Sequence, residues 1–160
     1  ARDRVPETRL MHNNTVNDLL EIATEMLRGE IEYRKENYDL AFAHLRKSVE
    51  LDDALPYDEP WGWMQPTRHA LGALLFEQGC LAEAESVYRA DLGLAGGMPR
   101  ACIHPDNVWS LKGLHDCLSA RGDTAEIAEV KQRLDLSLAR ADQIVAASCF
   151  CAQSAMKNGC

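Results

Sequence analysis

One spacing recurs along this chain and limits what it can fold into. Gly29, Tyr38, Ala41 and Leu45 stand in the same mutual register as Gly72, Leu81, Ala84 and Tyr88, and Trp109, Gly113 and Ala125 echo it downstream. Gly29 to Gly72 is a shift of 43 residues, and Gly72 to Gly113 one of 41. Self-similarity at a near-constant period of this length marks a stacked array of supersecondary units. The middle unit, Arg68 to Leu92, is the clearest. Leu71, Leu74, Leu75 and Gln78 recur at three- and four-residue steps, and Ala84, Val87, Tyr88 and Leu92 repeat the pattern after a turn at Gly79-Cys80. Each half is thus an amphipathic helix with one buried face. Gly72 and Ala84 sit where the two helices must approach closely, and Tyr88 supplies bulk.

The same reasoning divides the rest of the chain. Ala1 to His12 is charged, carries Pro6 and shows no period, so it reads as an arm. Asn13, Asn14 and Thr15 offer an N-cap, because their side chains accept from free backbone N–H groups. The period predicts helices over about 16–35, 39–51, 64–79 with Pro66 in the first turn, 81–92, 107–120 and 123–147. Two breaker-rich connections separate the pairs: one bearing Tyr57, Trp61 and Trp63, the other Gly96, Gly97, His104 and Asp106. Aromatic content marks the first as ordered. No strand is expected. The organisation is an arm over 1–15, a helical-repeat domain over 16–147 and a cysteine-containing tail over 148–160, the end of which is expected to move.

These residues carry a resemblance. Leu71-Gly72, Gly79, Ala84 and Tyr88 in the middle unit, Gly29, Tyr38 and Ala41 before it, and Trp109, Gly113 and Ala125 after it resemble the tetratricopeptide repeat family. Family repeats run about 34 residues, so the connections here are longer. The resemblance covers roughly 16–141, and 38–151 also looks like the closing part of longer, poorly characterised tetratricopeptide proteins. It implies an all-α fold, a right-handed superhelix of about three helix pairs with a C-terminal capping helix. It further implies a non-catalytic scaffold whose concave groove takes a protein or peptide segment, or other parts of a longer parent chain. By transfer, Met26, Glu30, Tyr33 and Arg34 would line that groove, followed by His69, Ala73 and Phe76, then Asn107, Ser110 and Leu114. The Lys/Asn carboxylate clamp of the family's best-known members is not filled, since Met26 and His69 stand in its basic positions. Trp61 and Trp63 with Arg68, and Trp109, add two aromatic positions at equivalent places before helices, and Trp is favoured at binding hot spots. No cofactor is implied.

Charge and composition narrow the partners. With 17 basic and 25 acidic residues the net charge is −8, which argues against nucleic acid and anionic membranes and mildly favours a basic or neutral protein. No apolar run reaches the roughly 18 residues of a membrane span, and a cytoplasmic setting is expected. The first residue is Ala rather than Met, which reads as a processed chain or part of a longer one. The six cysteines lack framework spacing, so reduced thiols are the default. Cys149-x-Cys151 is weak as a metal site and reads better as a thiol pair or local disulfide. Two rival readings stay open: a metal- or thiol-dependent enzyme domain using His69, His104 and the C-terminal cysteines, and an architectural module that self-associates. Against the first, phosphate-loop, G-x-S-x-G and H-E-x-x-H motifs are missing. His115 and Cys117 also point to different sides of their helix.

Overall fold

Helix propensity and the three-four apolar period dominate the chain, and the computed structural model, which describes residues 2–152, is mostly helical. Its described residues form six helices: α1 Val16–Arg34, α2 Tyr38–Asp53, α3 Thr67–Glu77, α4 Leu81–Asp91, α5 Val108–Arg121 and α6 Thr124–Leu138. Tertiary contacts gather into two units, one ending at Thr67 and the other beginning at Arg68.

In the first unit a short hairpin precedes α1. Strands β1 (Leu10–Met11) and β2 (Asn14–Thr15) pair antiparallel, with Leu10 opposite Thr15. This corrects the expectation of a strand-free chain: two residues per strand are too few to show alternation. His12 takes φ 53° at the tip. The Thr15 side chain then accepts from the Asp18 N–H at 3.1 Å, capping α1. Leu19, Ile22, Met26, Gly29 and Tyr33 form the buried face of α1, against Ala41, Phe42, Leu45 and Ser48 of α2. Gly29 marks the closest approach: a Cβ there would lie 2.6 Å from Leu45 Cγ. Glu25 and His44 brace the same pair at 2.6 Å.

The second unit is organised around Tyr88, which is fully buried. A Cβ on Gly72 of α3 would lie 2.6 Å from Tyr88 Cζ, and one on Gly113 of α5 would press still closer against the same ring, at Cζ, Cε1 and Cε2. Three helices therefore meet at one aromatic side chain, and two glycines make room for it. Positive φ at Gly79 (76°) and Gly122 (71°) closes the turns after α3 and α5, a left-handed geometry that glycine adopts without steric cost. Asn107 and Asp123 cap α5 and α6 by accepting from the N–H groups of Ser110 and Ala125. An ion-pair chain ties the outer sides of α4, α5 and α6: Arg89 bonds Glu85 at 2.8 Å and Glu126 at 2.5 Å, and Arg121 also reaches Glu85. The Glu126 partner is the main reason that the Arg89 guanidinium is held even more firmly protonated than usual.

Two boundaries differ from the periodic reading. α3 starts at Thr67, after Pro66 rather than around it, and α6 stops at Leu138. Beyond Leu138 the chain is irregular but packed. Val145, Ser148, Cys149, Cys151 and Ala152 are buried, and the Ser148 hydroxyl lies 2.6 Å from the Tyr88 hydroxyl. Up to residue 152 the segment is thus packed into the core; the end of the tail, 153–160, where motion is expected, lies outside the described residues.

Candidate functional site

The chemistry-bearing side chains of the second unit converge on Asp91, the last residue of α4, which is fully buried. It lies three residues after Tyr88 on the same buried stripe. A carboxylate at a helix C-terminus opposes the helix dipole and needs compensation. The connection to α5 supplies it. His104 Nδ1 lies 2.7 Å from Asp91 Oδ1, and His69 Nε2 of α3 lies 3.1 Å from Oδ2. Asn107 Nδ2 and Ser110 Oγ, at the start of α5, donate to Oδ2 at 2.8 and 2.6 Å. The His104 N–H donates in addition to the Asp91 carbonyl at 2.6 Å. Burial on its own would raise the Asp91 pKa. The hydrogen bonds from His104 and His69, with their charges, outweigh burial and hold the carboxyl far below the usual carboxylate range.

That arrangement uses its donors internally. Ser110 directs its proton at a carboxylate of depressed basicity, not at an imidazole, so its hydroxyl lacks the general base that activates a nucleophile. Cys117, buried on α5, has its thiol pushed up to about 12, first by burial and then by Asp116 and Glu85. It is protonated at neutral pH and so a poor nucleophile. Cys149 and Cys151 pair as a disulfide, the local alternative to reduced thiols. Among the described residues no group of three His, Cys, Asp or Glu side chains is placed to hold a metal ion.

In the first unit the aromatic connection between α2 and α3 is anchored from both ends. Asp58, buried, accepts from the Asn13 N–H at 3.1 Å and from Asn14 Nδ2 at 3.2 Å. Asn13 Nδ2 donates to the Tyr57 carbonyl at 2.9 Å. Trp63 Nε1 donates to Met26 Sδ of α1 at 3.1 Å, and Gly62 packs so close to Asn14 that a Cβ would lie 2.6 Å from its Nδ2. Tyr57, Trp61 and Met64 stay outward, 56%, 43% and 62% exposed.

The residues singled out from the sequence fall into different places. His69 and Asn107 meet at Asp91, together with His104 of the enzyme reading. Arg68 is buried in α3, with Nη2 4.0 Å from Met98 Sδ, and Phe76 is half-buried nearer the end of that helix. Tyr33 is buried edge-on against Tyr38 and Phe42, with the Arg34 guanidinium 5.4 Å over its ring. Glu30 is half-buried, and burial raises its pKa against the opposing charge of Arg34. Trp109 is half-buried and packs against Phe150, with ring centroids 5.7 Å apart and the planes tilted by 59°. Trp63 is the inward partner of the exposed Trp61. Asp91 was missed from the sequence, although an acid on the buried stripe of α4 is the signal that would have found it.

No family model matches the chain, and no curated protein and no solved structure matches it either. No helix among the described residues is long and apolar enough to cross a membrane.

Proposed function

We propose that the chain is a non-catalytic, tetratricopeptide-like helical module that binds a protein or peptide segment, with the α2–α3 connection as its contact surface. One observation carries the reading: Tyr57, Trp61 and Met64 project outward from a loop whose backbone is pinned by Asp58 and Trp63. A rigid loop loses little conformational entropy when it binds, and large aromatic side chains supply contact area with few rotamers to freeze. The net charge of −8 favours a neutral or basic partner.

The test is affinity capture with wild-type protein and with Trp61→Ala and Met64→Ala variants. Trp61 and Met64 are exposed, so circular dichroism should be unchanged. Removal of an aromatic hot spot costs about 2 kcal/mol or more, roughly a thirtyfold loss of affinity. Equal capture by wild type and both variants, with the fold intact, would discard the loop as the contact surface.

A further inference from the structure

The segment after α6 carries a covalent bond that contributes little as a staple. Cys149 and Cys151, two residues apart, are joined as a disulfide. In the chain-entropy account a cross-link stabilises a fold by restricting the unfolded chain, and its effect grows with the loop that it closes. This loop is close to the shortest a chain can close. Cys80 and Cys117 remain thiols in the same chain, so the pairing is local and not a disulfide framework.

What the bond does hold is shape. Between Ala141 and Ala152 the described chain is irregular. Ser148, Cys149, Cys151 and Ala152 are buried, while Phe150 between them is 81% exposed. The chain therefore turns at Phe150. The Ala152 N–H donates to the Cys149 carbonyl at 3.3 Å, and the Cys151 N–H to Cys149 Sγ at 3.2 Å. Three helices seat this turn. Cys151 Sγ lies 3.9 Å from the Ala70 carbonyl of α3. The Ser148 hydroxyl meets Tyr88 of α4, and the Phe150 ring packs against Trp109 of α5.

We propose that Cys149 and Cys151 are a redox latch. As a disulfide they hold the turn on α3, α4 and α5; reduced by a dithiol, they release it and uncover Tyr88. A thiolate of the dithiol bonds to one sulfur as the Cys149–Cys151 bond breaks, and the other sulfur leaves as a thiolate. The reductant's second thiol then displaces the first sulfur. Two electrons and two protons pass from the dithiol, which ends as a disulfide, to the chain, which ends with two thiols. Two thiols need more room than one disulfide. Sulfurs freed from the bond must part to van der Waals separation, and close-packed surroundings resist that. The turn lacks the repeated backbone bonds of a helix or sheet, so it is the element that opens most readily. The latch lies in the second unit and does not depend on the loop surface proposed above.

Alkylation of the full chain, read by peptide mass spectrometry, tests it. After equilibration with oxidised glutathione, peptide mapping without reductant should recover Cys149 and Cys151 joined to each other. After native treatment with dithiothreitol and its anaerobic removal, both should react with N-ethylmaleimide about tenfold or more faster than the buried Cys117, approaching the exposed Cys80. Recovery of the pair as thiols or glutathione adducts in the first step overturns the proposal. So does labelling of the reduced pair as slow as that of Cys117, because the turn then stays seated. Equally fast labelling of all three overturns it as well, because the bond would then be a staple for the whole unit.

Discussion

Replacing Asp91 by Asn tests the account of the second unit most directly. The substitution keeps shape and volume, so any loss of stability is electrostatic. In the protein one oxygen takes a single donor, His104, and the other takes three, from His69, Asn107 and Ser110. The best orientation of an Asn amide turns its oxygen to the three donors and its NH2 to His104, which must then shift its proton to Nε2. Three bonds survive without charge. Hydrogen bonds to charged groups contribute roughly 1.5–3 kcal/mol against about 1 for neutral ones, so the gross loss is about 3–4 kcal/mol. Relief of the buried charge offsets part of it, which leaves about 2–3 kcal/mol. Asp91→Ala, which orphans four donors, should cost more, about 3–5 kcal/mol. Urea unfolding followed by circular dichroism at neutral pH measures both. Hydrogen exchange at the Ser110 amide reports whether the start of α5 loosens first. The pH dependence has a definite sign. The folded-state pKa of Asp91 is depressed, so the carboxylate's contribution is complete above its unfolded value, near pH 4, and disappears as pH falls below that. An Asp91→Asn protein within about 0.5 kcal/mol of wild type at pH 7 would refute the reasoning, because surface-like tolerance is incompatible with a charge that organises four donors.

Gly113→Ala forces a methyl group against the Tyr88 ring at clashing distance. Overpacking at about 1–3 kcal/mol should exceed the roughly 1 kcal/mol gained in helix propensity, and thermal unfolding should show net destabilisation that Tyr88→Leu partly rescues. Gly122, at φ 71° after α5, should lose about 1 kcal/mol on substitution by Ala, measured the same way, since nothing crowds the position and only the backbone objects. In native protein at pH 8, Ellman's reagent should modify the exposed Cys80 quickly and leave Cys117 unmodified until denaturant is added, because the Cys117 thiol titrates only near 12. Rapid native labelling of Cys117 would show that α5 opens far more easily than its packing implies.

Helix positions were legible because each depends on local periodicity and on nearby caps. The N-caps Asn107 and Asp123, the turn glycines Gly79 and Gly122, and the Gly29–Leu45 and Gly72–Tyr88 contacts all lie within one helix pair, where sequence spacing translates directly into distance. Gly113 shows where that translation ends. Its register with Gly72 suggests a partner sixteen residues downstream, but the structure turns it back onto Tyr88 of the preceding pair. A contact made across pairs is not encoded in the period of either. The Asp91 cluster was hidden for the same reason: His69, Asp91 and His104 are separated by 22 and 13 residues, and no helical step brings them together. The packing of Ser148 on Tyr88 spans 60 residues and leaves no periodic trace in a segment without regular structure.

These three blind spots share one location, and that carries a consequence for function. Tyr88, Asp91 and Ser148 are the points where α3, α4, α5 and the C-terminal segment are locked to one another, so the second unit spends its titratable and aromatic groups on cohesion. The buried Asp91 and His69 already have partners, and exchanging them for contacts with a ligand would leave a buried charge unpaired at several kcal/mol. The first unit differs. Its loop anchors Asp58 and Trp63 inward while Tyr57, Trp61 and Met64 face water, and its first helix holds Leu27 and Ile31 outward. A partner that covers those side chains gains apolar burial, at about 25 cal/mol for each Å². Binding variants should therefore separate cleanly from stability variants along the chain. Substitutions at Trp61 and Met64 should alter association at constant melting temperature, and those at Asp91, Tyr88 and Gly113 should alter melting temperature. Scattering of the two effects across both units would show that recognition uses the locked core after all.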